Sequence, residues 1–184
     1  MAQNFRNQFQ LALPITHSDT GSLLWTGGDF DTLISVRLVN ISTSIVTVDV
    51  YIRSGTAVTA NVNGAVSGST TVAVDGNNGT IVNEMGMSGT GVDLNNGKAP
   101  RVTDASNQAS IIVDTVQTID NDIALSFVND CYLIKSAPIP AGSSLELMDS
   151  GSKIVMKDGD VLYAVASVAG AVDATVSVVD TISS

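Results

Sequence analysis

A chain of 184 residues is long enough for one domain, or one domain with a large insertion, and can bury a real core. Its net charge of −10, with only four lysines and four arginines scattered along the sequence, excludes the basic face that a phosphate backbone requires. Apolar residues make up 44% but no run approaches the roughly 20 residues of a membrane-spanning helix, and the single Cys131 excludes an intrachain disulfide.

The acids are themselves a structural signal. All but Glu84 and Glu146 are Asp, a short, turn-forming residue, so the charge reports β-turns as much as acidity. The remaining bulk is Val, Ala, Ile, Leu, Ser, Thr and Gly, the palette of pleated strands.

In chain order, residues 1–30 read as a polar N-terminal arm (NFRNQFQ), a loop past Pro14 and a first strand in SLLWT. The segment MAQNFRNQFQLALP lacks the long apolar core of a signal peptide, so synthesis in a cytoplasm without Sec export is expected. Residues 31–184 read as a single β-sandwich domain interrupted by an insertion over 54–121. Thr32–Asn40 alternates, with Ile34, Val36 and Leu38 on one face. After a Ser/Thr-rich turn, Val46, Val48, Val50 and Ile52 alternate with Thr47, Asp49 and Tyr51, as in a hairpin with one wet face.

The insertion changes texture. It holds most of the Gly and Asn and few large side chains, so it is expected to bury little apolar area per residue ordered. Short strands are expected at 70–74, 79–82 and 110–118, with Asp75–Gly79 as a turn. From Ile123 the alternation resumes through 123–128, 131–136, 144–148, 153–156, 161–167 and 171–179. Pro138 and Pro140 interrupt pairing because neither can donate to a ladder. Val172, Ala174, Val176 and Val178 are expected to face inward. Repeated short strands with frequent turns give an all-β antiparallel sandwich, Ig-like or jelly-roll-like.

The chemistry-bearing residues are sparse. His17, the only histidine, sits in a turn-like THSDTG and reads as a solvated loop residue, which leaves no Ser-His-Asp or Cys-His pair. No catalytic residue and no cofactor site is assigned. The oxygen-rich turns offer weak calcium candidates in Asp75 and Asn77 and in Asp158 and Asp160, although both also read as ordinary turns. Cys131, between Val128 and Leu133, reads as a buried thiol. Trp25, among Leu23 and Leu24, reads as packing. Tyr51, Tyr132 and Tyr163 are too dispersed to claim a sugar-stacking platform. Asn40 and Asn78 fit the N-glycosylation pattern by coincidence.

Four motifs carry a resemblance: Val39-Asn40-Ile41-Ser42, Val46-Thr47-Val48, the turn from Pro138 through Leu145 (PIPAGSSL), and Lys157-Asp158-Gly159-Asp160. Together they resemble small β-sandwich virion proteins of tailed bacteriophages. The resemblance implies a non-enzymatic structural part of the virion, made in the host cytoplasm, with capsid decoration or cement as the leading role. A neck, tail or fibre-base component, or a carbohydrate- or receptor-binding module, is the alternative. It also implies other virion proteins as partners, the major capsid protein or tail and neck proteins, and a homo-oligomer such as a trimer. Neither nucleic acid nor membrane is expected as a partner. The glycine-rich insertion departs from the simplest such domains and is the element expected to set this protein's own contacts.

Overall fold

The computed structural model describes residues 4–15, 22–28, 31–95, 99–148 and 152–180. Every regular element among them is a strand. In chain order these are β1 (Asn4–Gln10), β2 (Leu23–Thr26), β3 (Thr32–Asn40) and β4 (Val46–Arg53), then β5 (Val58–Val62), β6 (Val66–Asp75), β7 (Gly86–Gly89), β8 (Val102–Asp104), β9 (Ser110–Ile119) and β10 (Ala124–Val128). The last are β11 (Asp130–Ile139), β12 (Ser144–Glu146), β13 (Ile154–Val155), β14 (Val161–Ala166) and β15 (Val172–Asp180). The fold is all-β and antiparallel, as the alternation predicts.

The chain divides into two compact units, residues 1–55 with 131–184, and residues 56–130. The first is a β-sandwich. One sheet runs β1-β15-β3-β12 with β13 also on β3, and the other runs β11-β4-β14-β2. Alternation fills the space between them: Val46, Val48 and Val50 of β4 share one buried cluster with Val172, Ala174, Val176 and Val178 of β15. In β3 the expected face is corrected at one end. Ser177 pairs with Ser35 but Val178 pairs with Leu33, so Ile34 is the extra residue of a bulge. The bulge turns Leu33 into the core with Val36 and Leu38, and leaves Ile34 half-buried.

Two of the resemblance motifs meet at Asn40, which is fully buried. Its Nδ2 donates to the carbonyls of Ser44 (2.8 Å), Ile139 (2.9 Å) and Pro140 (3.2 Å), while its Oδ1 accepts from Ser42 N (2.9 Å) and Oγ (2.7 Å). One amide thus shapes the Ser/Thr turn and ties down the end of β11, which runs through Pro138 to Ile139 where an interruption is expected. The KDGD turn is fixed by close backbone packing. Gly159, at φ +80°, accommodates the turn, and a Cβ on Gly55 would lie 2.4 Å from the Gly159 carbonyl.

The second unit is a six-stranded sheet, β7-β10-β5-β6-β9-β8, whose two ends meet. Met87 N donates to Pro100 O (2.8 Å), Val102 N to Met85 O (2.9 Å) and Glu84 N to Val102 O (2.8 Å), which closes the sheet toward a barrel. The expected insertion boundary at 121 falls inside this unit, because β10 pairs with β5 and β7. Gly79–Val82 is not a strand; Asp75 instead pairs with Asn61 at the end of the β5–β6 ladder.

The expectation of little burial here is overturned. Val62, Val72, Ile81, Met87, Ile111 and Phe127 form part of a separate apolar core. Small side chains suffice because a narrow barrel has little interior to fill. Its long connections are held by side-chain amides, one half-buried and one fully buried. Gln108 accepts from Ile81 N (2.8 Å) and donates to the carbonyls of Ile81 (2.8 Å) and Ala105 (2.7 Å). Gln117, fully buried, accepts from Asp93 N (2.9 Å) and donates to Asp93 O (3.0 Å) and Thr115 O (3.1 Å). Each supplies the pairing that a strand neighbour would otherwise give.

Candidate interaction surface

The segment expected to be a polar arm is strand β1, paired along seven residues with β15, from Asn4–Asp180 to Gln10–Ala174. Opposed residues of an antiparallel pair point to the same side. Arg6, Gln8 and Gln10 therefore share the side of Val178, Val176 and Ala174, which face the core. Phe5, Asn7 and Phe9 share the outer side. The ordinary pattern is inverted: the polar residues take the core side of the ladder, though only Gln10 is half-buried, and the phenyl rings take the outer side, 67% and 64% exposed. Arg6 reaches Asp180 at 2.8 Å and Ser177 Oγ donates to Asn7 Oδ1 at 2.8 Å, so β1 is held by its ladder and two polar contacts.

Further apolar side chains are exposed at one end of the sandwich, where three connections are bonded together. Leu13 N donates to Val172 O (2.9 Å), Gly170 N to Leu13 O (3.0 Å), Ile41 N to Ala171 O (2.9 Å) and Ser167 N to Thr47 O (2.8 Å). These bonds order the backbone while Leu11, Ile15, Ile41, Ile45 and Val168 stay exposed at the tips. Of the twelve large apolar side chains exposed among the described residues, seven lie on β1 and these connections and an eighth, Val155, lies elsewhere in the sandwich. The barrel carries the other four.

The calcium candidates are not brought together as one site. Asp75 and Asn77 belong to the barrel, Asp158 and Asp160 to the sandwich. Asp160 is committed to its own turn, accepting from Lys157 N (3.0 Å) and Gly55 N (3.2 Å). Asn77 Nδ2 donates to Gln108 O (2.8 Å), and its buried Oδ1 has no partner. Among the described residues no group of three or more His, Cys, Asp or Glu is placed to hold a metal ion. His17 lies outside the described residues.

Trp25 packs against the sandwich core and donates to Asp31 Oδ2 (2.9 Å). The three tyrosines do converge, which their sequence spacing hides. Tyr51 stacks on Tyr163 at 5.3 Å and tilts against Tyr132 at 5.4 Å, with Arg53 over both Tyr51 and Tyr163. Tyr51 and Tyr163 are buried, so these rings are spent on one another. The outer face of β4 is accordingly not wet: Asp49 is buried too and accepts from Ser136 N (2.7 Å), which stabilises Ser136 at φ +52°. Cys131 is corrected from buried to exposed, because it stands second in the edge strand β11, where apolar sequence neighbours do not guarantee cover.

A shallow groove of about 350 Å³ in the barrel is lined by residues including Asn83, Asp104, Ser106 and Gln108. The amides of Asn83 and Gln108 are engaged with backbone groups, and Asp104 accepts from Ser106 N (2.8 Å). Ser106, through its backbone N–H first and its hydroxyl second, holds the Asp104 carboxyl below its ordinary range. These bonds build a loop and leave the groove with little free polar chemistry. No protein-family model and no curated protein matches the chain.

Proposed function

We propose that this chain is a non-enzymatic structural part of a tailed-phage virion, first of all a capsid decoration or cement protein. Its partners would be the major capsid protein and further copies of itself. The observation that carries the reading is the concentration of exposed apolar side chains on β1 and the adjoining loop tips of the sandwich. Apolar groups held outward on an ordered backbone suit docking between proteins. The four sequence motifs supply the virion context.

A cement protein acts by mass action: contacts made only on the assembled shell stabilise that state over its precursors. Weak contacts repeated by symmetry then add up through avidity. Quantitative mass spectrometry of purified virions tests the reading, and a copy number comparable to the major capsid protein is expected. A small count would move the protein to the neck or tail, and absence from particles would discard the proposal. Removing Met1–Ala12 deletes β1 and should strip the protein from particles. Removing only 54–97 would take β5, β6 and β7 out of the barrel and leave β8, β9 and β10 behind, so the informative excision is the whole of 56–130.

A further inference from the structure

We infer that β1 is a self-pairing edge, through which two copies of this chain join antiparallel about a two-fold axis at Asn7. The inference deepens the self-association part of the assembly reading by naming the surface. β1 has β15 on one side, and its other edge has no ladder partner among the described residues. Such an edge presents unpaired N–H and C=O groups that accept another strand. Edges not meant for pairing are usually guarded by lysine, proline or a bulge. β1 has no proline or lysine, runs in unbroken register with β15, and ties its single arginine to Asp180.

The occupant follows from register and charge. Centred on Asn7, antiparallel pairing sets Phe5 opposite Phe9 of the second copy, Arg6 opposite its Gln8 and Asn4 opposite its Gln10. All four phenyl rings then lie on one face as two cross-strand aromatic pairs. Centring on Arg6 would oppose two guanidinium groups, and centring on Gln8 would set each Phe9 against an Asn7. The strand's own sequence therefore selects one register. The chain carries −10 overall, so two copies repel over much of their surface, but residues 4–10 hold one base and no acid. This edge is where copies can approach.

The patch, two short strands and four rings, falls below the roughly 1,200 Å² of a standard stable interface. The expected dimer is consequently concentration-dependent and gains force when repeated in an array. A pair of this kind is two-fold, so a trimer would have to be built through another surface.

The test uses the full chain in a Cys131→Ser background, with Asn7→Cys as probe and Thr103→Cys as an exposed control on the barrel. At on the order of 100 µM, above the weak affinity such a patch supports, a short thiol-to-thiol crosslinker should convert Asn7→Cys to covalent dimer much faster than Thr103→Cys. Sedimentation of the unmodified chain should show a dimer that Phe5→Ser with Phe9→Ser weakens at least tenfold, with an unchanged thermal transition. A monomer at every concentration, equal crosslinking of probe and control, or a dimer indifferent to the double substitution would each overturn the inference. A solution monomer with high copy number on particles would sink the junction and leave the shell reading standing; a dimer absent from particles would do the reverse.

Discussion

The two units solve one problem in opposite ways. Both are antiparallel strands of modest side chains, and each must satisfy its backbone and bury its apolar face. The barrel brings its sheet ends together and pins its long connections with Gln108 and Gln117. The sandwich leaves β1 without an outer ladder partner among the described residues and holds seven large apolar side chains outward on β1 and three bonded connections. Closure removes the feature that invites pairing, and an open edge keeps it. On that contrast the proposed contact surface lies on the sandwich, although the glycine-rich sequence of the barrel first suggests the contact-making arm.

The largest test of the contrast is Asn40→Ala. It would leave three carbonyls and the Ser42 N–H without their buried partner, at about 1–3 kcal/mol for each group that water cannot reach. A loss of about 4 kcal/mol is expected, confined to the sandwich. Calorimetry should show the sandwich transition falling while the barrel transition holds. A uniform shift of both would mean that the units unfold as one. Next in size is Gly55→Ala, whose Cβ would overlap the Gly159 carbonyl at 2.4 Å. Backbone atoms cannot step aside as a flexible side chain can, so about 3 kcal/mol is expected, again in the sandwich. A neutral result in urea unfolding would show that the KDGD turn yields easily.

These positions also show what was legible in the sequence. The strands β3, β4, β14 and β15 could be read because alternation and a two-sheet core obey the same period of two. The core face of β3 was misread at Leu33 because a bulge depends on the partner strand's register, which one sequence does not display. β1 was missed because its apolar residues face away from the core, so its pattern reports a surface and reads as a polar arm. In the barrel the alternation of β6, β9 and β10 is legible at 70–74, 110–118 and 123–128, but the closure of the sheet is not, because closure and amide pinning are properties of residues far apart. Cys131 and the tyrosines fail alike: exposure and clustering are set by which strands become neighbours, not by local composition.

Gln117→Leu probes the barrel side of the comparison. The substitution keeps an apolar body but takes the amide partner from both backbone groups of Asp93, so a loss of about 1 kcal/mol or more is expected from these part-buried groups. The loss should appear in the barrel transition, with hydrogen exchange accelerating around residues 91–95. If exchange there stays slow, closure of the sheet holds the connection and the amide does not.

The smallest expected effect separates charge from geometry in the same unit. Asp104 is fully exposed, and its carboxyl is held below the ordinary range mainly by the Ser106 N–H. A depressed carboxyl contributes stability that is present above its unfolded pKa and lost as pH falls through the folded value. Asp104→Ala should therefore lower the barrel's urea midpoint slightly at neutral pH, and the two proteins should converge in strong acid, where both states of the wild type are protonated. Solvent screening keeps the difference below that of Gln117→Leu. A gap that persists unchanged into acid would assign the effect to the loop's shape, because an interaction that depends on ionisation must vanish with the charge.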